Sequence, residues 1–323
     1  MGVRLIAALR EQASPAEVDI DRLSQLRADP GTQLWLDISD PSSADVALLR
    51  REFGFHELAL EEVTRPHERP RCDAYGSYYF IVVYAAEPTD KGFVPRELNI
   101  FWGNNYLVTI HRRPAAVLAV LEGTQRRWEQ HDERSAHGVA ALAYALFENL
   151  VDGYFVVQDR IRDRIDDIEQ AIFKGSEGAA ADLFQLRKEL LRVPRLLAPT
   201  SHVLAEVMRR ERAIPEALRP YFGDVQDHAV HVLAELDTYR DLLSAALDTH
   251  VFYAFNRMGQ IMKRLTAVTV IILVPNFVAS VYGMNFSGMV PLAEWQYGFI
   301  AVAAFLGCMV AWGFIHSRVL GWL

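Results

Sequence analysis

The sequence predicts a mixed α/β domain, then a long helical stalk, then a two-helix transmembrane hairpin. Three observations predict this order. Segments with strand character all fall before about residue 135, and helical periodicity follows them. No proline occurs between Pro220 and Pro275. Two uncharged runs lie close to the C-terminus. We therefore expect an α/β domain over 1–135, a stalk over 136–264 and a transmembrane domain over 265–323.

The α/β domain is predicted from alternation and turn signals. Gln33–Ile38 alternates as a strand and ends at Asp40-Pro41, a turn. Ser42–Phe53 fits an amphipathic helix, with Ser42 or Ser43 as its N-cap. A Gly103-Asn104-Asn105 hairpin turn joins the last two of three further strands, and these are predicted at Ser77–Ala86, Glu97–Trp102 and Tyr106–His111.

The stalk is predicted from helical periodicity. Gly138–Phe173 and Ala179–Glu211 read as two helices, which Pro194, Pro199 and Pro215 interrupt or bound. The next helix would run from residue 216 to 284, about 100 Å at 1.5 Å per residue. A helix of that length is typical of a stalk or coiled coil that enters a membrane.

Two apolar runs predict the hairpin. Leu265–Met284 has 20 residues and Trp295–Ile315 has 21, none of them charged. About 20 apolar residues span a bilayer. The alternative is a pair of buried core helices. Aromatic residues near the ends of the runs, such as Trp295 and Trp312, favour membrane spans. The outer loop would be Asn285–Glu294.

Basic residues predict the orientation. Lys263 and Arg264 precede the first span and Arg318 follows the second, whereas the loop contains no Lys or Arg. The positive-inside rule then places both termini in the cytosol and the loop outside. The N-terminal MGVRLIAALREQ has an apolar patch too short for a cleavable signal peptide. We expect a multi-pass protein of the cytoplasmic (inner) membrane.

Composition and motifs exclude several classes. A net charge of −8 argues against nucleic-acid binding. Cys72 and Cys308 are too few for a disulfide framework. The sequence has no phosphate loop, nucleophile elbow or HExxH motif, so we do not expect an enzyme. A membrane-anchored sensor is the other class considered, but it would not need a polar stripe through its span.

Such a stripe follows the long helix. Alternating steps of four and three residues from Asp248 give a heptad-like seam. In a ring of several copies, this seam would surround the axis. Asp248 on this seam lies before the apolar run, and the seam positions within the run carry hydroxyl, amide or apolar side chains. Met262 and Leu273 would form hydrophobic constrictions, and Ser or Thr could instead pack at helix interfaces. The seam comprises Asp248, Phe252, Phe255, Gly259, Met262, Thr266, Thr269, Leu273, Asn276, Ser280 and Gly283.

A set of motifs covers nearly the whole chain. It includes MKRLT at 262–266, a span containing Pro275, and YGMNF at 282–286. The soluble part contributes WLDISDP at 35–41, HELALEEV at 56–63, RPRCDAYGSYYFIV at 69–82 and ELNIFWGNNYLVTIHR at 97–112. This arrangement resembles the CorA family of magnesium/cobalt transport proteins.

The resemblance implies a homopentamer with a cytosolic α/β/α domain, a stalk helix continuous with the first span, and an outer second span. It implies a selectivity motif at Gly283, Met284 and Asn285, with Asn285 presenting its amide oxygen to a hydrated ion. It places the hydrophobic gate at Met262, Leu265 and Leu273 and the cytosolic pore mouth at Asp248.

The resemblance also implies regulation. Asp224 would bind regulatory Mg²⁺ with an acid of the neighbouring subunit, near Glu87 or Asp90. The expected activity is Mg²⁺ influx, with Co²⁺ and Ni²⁺ also carried, gated by intracellular Mg²⁺ and needing no organic cofactor.

The outer loop departs from the family pattern, and the middle residue of the motif, Met284, favours magnesium over a related zinc branch only modestly. The outer loop has Ser287 where relatives often have an acid, and only Glu294 is acidic there. The alternative is a proton-coupled zinc transporter of the same superfamily, for which His228 and His231 could bind Zn²⁺.

Overall fold

The structure is a computed structural model that describes residues 2–9, 12–65, 67, 69–89, 92–130, 137–174, 176, 178–209, 214–284 and 297–321. Its internal contacts divide the chain into two units, Met1–Ala245 and Ala246–Leu323. The division falls inside one helix. The three-part division at residues 135 and 264 stays a prediction.

Seven described strands form one mixed sheet in the order β2-β1-β3-β7-β6-β5-β4. The strands β3 and β7 are parallel, with Trp35 opposite Leu107, and the other described pairs are antiparallel. The strands are β1 Gly2–Leu9, β2 Gln12–Val18, β3 Thr32–Ser39, β4 Arg71–Ala74, β5 Tyr78–Thr89, β6 Gly92–Gly103 and β7 Tyr106–His111.

The described residues also form eight α-helices. The predicted helix after the first turn is confirmed, since Ser42 caps it and the Asp45 carboxylate accepts a hydrogen bond from the Ser42 N–H at 2.8 Å. The helices are α1 Leu23–Ala28, α2 Ser43–Phe53, α3 Glu57–Val63, α4 Ala115–Glu129, α5 Val139–Phe173, α6 Ala179–Met208, α7 Arg219–Tyr282 and α8 Gly298–Val319.

Helices cover both faces of the sheet. Phe101 and Trp102 are successive β6 residues, so their side chains point to opposite faces. Phe101 stacks on Phe55 beside α3 at 4.1 Å, and Trp102 stacks on Phe222 of α7 at 6.0 Å. Every residue of β3 and β7 is buried as a result. This is the three-layer α/β/α arrangement that the family resemblance implied for the soluble part.

The prediction that prolines interrupt or bound the stalk helices is wrong at two positions. Pro194 and Pro199 both lie inside α6, which stays continuous. The buried side of α6 includes Val193 and Leu197, at 1% and 0% exposure. Burial of this apolar side offsets the backbone hydrogen bonds that proline removes. Pro215, in contrast, does precede the short 3₁₀ turn Glu216–Leu218 that leads into α7.

Three described helical segments are long and apolar enough to cross a membrane, namely Val139–Ile172, Glu216–Val281 and Ile300–Val319. Exposure separates them. The apolar window of the first is 67% buried within the protein, so it is a core helix, whereas those of the other two are only 6% buried. The predicted spans at 265–284 and 295–315 therefore correspond to the end of α7 and to α8. Residues 285–296, which would join them, lie outside the described residues, so the hairpin stays a prediction.

Candidate functional site

The predicted seam lies along one side of α7. Its positions from Asp248 to Ser280 all fall within the helix, and Gly283 follows directly after it. Each seam residue is exposed in the single chain. The apolar ones are among the most exposed of their kind, with Phe255 at 64% and Leu273 at 59%. A face of this character at membrane depth is available to lipid or to other copies of the chain.

The second span packs on the opposite side of α7. Ala267 is 4% exposed, and the partly covered positions above it are Ile271, Pro275 and Val278. A Cβ added at Gly313 of α8 would lie 3.2 Å from Ile271 Cγ1, so the two helices touch there. At about 100° per residue, this contact face lies roughly 180° from the seam. The seam therefore faces away from α8.

One hydroxyl on the seam has a defined orientation. Thr269 Oγ1 donates a hydrogen bond to the carbonyl oxygen of Leu265, 2.8 Å away. This internal bond uses the only hydrogen of the hydroxyl. The lone pairs of the oxygen remain available as acceptors on the exposed side, which suits a cation or the water that surrounds it.

The proline of the first span affects the other side of the helix. Pro275 has no N–H, so the carbonyl of Ile271 lacks its usual helical donor. Ile271 and Pro275 both line a cavity of about 270 Å³ between α7 and α8. The freed carbonyl thus belongs to the side that meets α8 and not to the seam.

The predicted gate residues form an apolar group on or next to the seam. Met262, Leu265 and Leu273 have exposed fractions of 56%, 59% and 59%. Met262 and Leu273 are seam positions, and Leu265 directly precedes the seam residue Thr266. In a ring of copies, these side chains could close a narrow path without any charged group.

Only part of the predicted selectivity motif is described. The Gly283 N–H donates to the Ala279 carbonyl at 3.0 Å, and Met284 is 52% exposed. A Cβ at Gly283 would meet the Ser280 carbonyl at 3.4 Å, an ordinary contact. Contacts within one chain therefore do not require glycine at this position. Asn285 lies outside the described residues.

The same pattern continues toward the N-terminal end of α7, which sequence reasoning missed. The same alternation of three and four residues leads from Asp248 back to Asp224 through positions that are all exposed. The opposite side of the helix has buried residues at matching intervals. This apolar periodicity in the sequence could have predicted which side of the helix is exposed. The exposed positions are Asp224, Asp227, His231, Ala234, Thr238, Asp241 and Ala245, and the buried ones are Val225, Ala229, Val232, Leu236, Tyr239 and Leu243.

The predicted regulatory acids are not assembled within one chain. Asp224 is 62% exposed, and its Oδ1 lies 3.8 Å from His228 Nε2. Glu87 accepts a hydrogen bond from the Ala115 N–H at 3.1 Å through Oε1, and its Oε2 pairs with Arg96. Asp90 lies outside the described residues. The described residues contain no group of three side chains that could hold a metal ion.

The two histidines of the zinc hypothesis have different surroundings. His228 pairs with Asp224 and meets the Phe155 ring edge-on at 5.8 Å. His231 is exposed on the seam.

Comparison with known proteins adds a family match. A family model described as "CorA-like Mg2+ transporter protein" matches residues 31–317. YfjQ of Bacillus subtilis (strain 168) is 32% identical over 294 residues, 89% of each chain. Its name describes it provisionally as a metal ion transporter. The cobalt/magnesium transport protein CorA of Thermotoga maritima is 27% identical over 312 residues, 94% of this chain and 87% of that one.

A solved structure shares the fold of the full chain. The complete CorA magnesium transporter from Methanocaldococcus jannaschii superposes with a TM-score of 0.83 and covers 100% of both chains, at 24% sequence identity. The agreement spans the soluble layers and the long helices alike.

Proposed function

Because this chain belongs to the CorA-like Mg²⁺ transporter family, we propose that it admits Mg²⁺, and also Co²⁺ and Ni²⁺, through a homopentameric pore in the cytoplasmic membrane. The family consists of divalent cation transporters and not of enzymes. Beyond family membership, we propose which ions pass, that five subunits form the pore, that both termini are cytosolic and that intracellular Mg²⁺ gates the pore.

The exposed seam of α7 carries this proposal. It is turned away from α8 and displays hydroxyl and amide groups at Thr266, Thr269, Asn276 and Ser280. Polar groups are costly in lipid. A ring of copies would remove them from lipid and place them around an aqueous axis, where they could replace water around an ion.

The chemistry of the mouth suits a hydrated ion. Mg²⁺ gives up its water reluctantly and prefers oxygen ligands. In the proposal, five Asn285 amides present neutral oxygens to the water shell of the ion. Neutral acceptors hold the ion weakly enough for it to leave again, which conduction requires.

Feedback would come from Asp224 on the cytosolic part of the seam. Its exposed carboxylate has space for a cation shared with an acid of the neighbouring subunit, for which Asp90 and Glu87 are the candidates. Of these, Glu87 already has protein partners for both oxygens. Bound Mg²⁺ would cancel repulsion between subunits and stabilise the closed state, because a ligand favours the state that binds it better.

Flux measurements in liposomes test the proposal. Purified protein is reconstituted, and Mg²⁺ entry is followed at several internal Mg²⁺ concentrations for wild type and Asp224→Lys. We expect internal Mg²⁺ to inhibit wild type and to have little effect on the variant. Wild-type flux that is independent of internal Mg²⁺ would refute the feedback.

The same liposomes separate the metals. Uptake of Mg²⁺, Co²⁺, Ni²⁺ and Zn²⁺ is compared with and without a pH gradient. We expect Mg²⁺ uptake that does not depend on the gradient. Zn²⁺ uptake that requires the gradient, with no Mg²⁺ uptake, would establish the zinc transporter instead.

A further inference from the structure

A large cavity lies in the α/β domain, within the first unit. Its volume is about 890 Å³, and its wall includes Asp40 just after β3 and Arg112 just after β7. These two strands are the parallel pair of the described sheet. Ligands of open α/β sheets bind outside the carboxyl ends of such strands. The volume is also in the range of small-molecule sites.

The wall carries an excess of positive charge. Four arginines, Arg65, Arg96, Arg112 and Arg113, face two acids, Asp40 and Glu97. Glu97 is already satisfied, since it accepts hydrogen bonds from the His67 N–H at 2.8 Å and from Asn99 Nδ2 at 2.9 Å. This balance disfavours a metal ion and favours an anion.

The arginines differ in how far their charge is compensated. Arg65 pairs with Glu61, Arg96 with Glu87, and Arg113 lies 3.7 Å from Asp40. Arg112 is exposed and has no ion-pair partner among the described residues. A ligand phosphate would supply that partner, and the planar guanidinium fork matches its oxygens.

A buried amide oxygen in the same wall lacks a partner. Asn99 is 4% exposed, and its Oδ1 accepts no hydrogen bond within the described part of the chain. The Asn99 amide is oriented by its Nδ2, which donates to Glu97 Oε1. An unsatisfied buried acceptor is costly. A hydroxyl or amino group of a ligand could donate to this oxygen.

The backbone at the cavity is strained. Asp40 has φ +53°, and it is the one non-glycine residue with positive φ in the described ranges. Its N–H donates to the His111 carbonyl at 2.8 Å, which ties the ends of β3 and β7 together. Strain of this kind concentrates at ligand sites.

We propose that this cavity binds a small phosphorylated metabolite of nucleotide size. Its phosphate pairs with Arg112 and the neighbouring arginines, and one of its hydroxyl or amino groups donates to Asn99 Oδ1. The site is separate from the seam and would let the protein respond to a cytosolic metabolite.

Isothermal titration of the purified full-length protein tests this site, in EDTA so that Mg²⁺ chelation plays no part. The probes are AMP, adenosine and inorganic phosphate. We expect saturable AMP binding at one site per chain, with adenosine and phosphate each much weaker. Arg112→Glu should weaken AMP binding by about tenfold or more, as loss of a charged hydrogen bond implies.

Arg162→Glu is the matched control, because Arg162 is an exposed arginine of α5 outside the cavity wall. It should bind AMP as wild type does. Absence of saturable AMP binding to wild type, or equal affinity in Arg112→Glu, would overturn the site. Phosphate binding as tight as that of AMP would overturn the role given to Asn99.

Discussion

Thr269 donates its hydroxyl hydrogen to the Leu265 carbonyl, one turn below it on the same helix, at 2.8 Å. The oxygen is therefore fixed as an acceptor on the exposed seam. Replacement by valine keeps the shape and removes this acceptor. We expect Thr269→Val to reduce Mg²⁺ flux in liposomes about fivefold, for a loss of roughly 1 kcal/mol of favourable contact. Thr269→Ser should keep most of the flux, and an unchanged Thr269→Val rate would remove Thr269 from the pathway.

The apolar seam residue Leu273 is expected to hold the closed pore dry. Leu273→Ser would introduce a hydroxyl at that level and admit water. We predict Mg²⁺ leak that persists at high internal Mg²⁺, measured in the same liposome assay. Ile272→Ser is the control, since Ile272 is equally exposed, at 63%, but lies off the seam. Equal leak from both variants would contradict the assignment of the seam to the pore.

The amide of Asn285 is predicted to be essential at the mouth. Asn285→Ala should abolish Mg²⁺ flux, because a methyl group offers no acceptor to the water shell of the ion. The variant should still elute as the wild-type oligomer in size-exclusion chromatography. Wild-type flux in a correctly assembled Asn285→Ala protein would count heavily against a channel.

Glu87 stabilises the start of α4. It accepts from the Ala115 N–H and pairs with Arg96, and negative charge is favourable at a helix N-terminus. Glu87→Ala should lower the free energy of unfolding by about 1–2 kcal/mol, read as a lower Tm in detergent without Mg²⁺. We expect Mg²⁺ to raise the Tm of wild type, and this increase should persist in Glu87→Ala and be lost in Asp224→Asn. Loss of that increase in Glu87→Ala would show that Glu87 also binds the cation.

The pair Asp37–His111 should make stability depend on pH. Burial alone would lower the pKa of His111, but the hydrogen bond and charge of Asp37, 3.3 Å away, raise it above its ordinary value of 6.5. Because the folded pKa is the higher one, this stabilisation is full below pH 6.5 and is lost as pH rises through the folded pKa. The Tm difference between wild type and His111→Gln should therefore be larger at about pH 5.5 than at about pH 8.5. A difference that grows with pH would contradict this sign.

The soluble fold was partly predictable from sequence. Tyr106–His111 was predicted with the bounds observed, because its apolar run follows a clear turn. The strand Gln12–Val18 was missed because it contains Pro15 and little apolar alternation. The helix Ala115–Glu129 was also missed, since Gly123 and a polar C-terminal half weaken its pattern. Long-range contacts, which no local pattern reveals, stabilise both: the strand pairs with β1, and the helix packs on the sheet.

The candidate site shows the same division. The seam from Asp248 to Ser280 was predicted from heptad spacing, and the structure adds that it is opposite the α8 contact face. Its continuation to Asp224 was missed because Ala234 and Ala245 are small apolar residues, which do not mark an exposed polar face in the sequence. The hydrogen bond from the Ala115 N–H to Glu87 could not be predicted, since it joins residues 28 positions apart in sequence.

The missing backbone hydrogen bond at Pro275 has a mechanical consequence. Below Pro275, α7 has an intact hydrogen-bond ladder back to Arg219 and can transmit twist as a torsion bar. At Pro275 the ladder lacks one rung, so the last turns, from Asn276 to Tyr282, can tilt at lower elastic cost than the shaft beneath them. Because the missing bond would join the Pro275 nitrogen to the Ile271 carbonyl, the softened turn is 271–275 and contains Leu273. A tilt of the last turns would therefore pivot at the level of Leu273, and bending of the helix end would move that side chain with it.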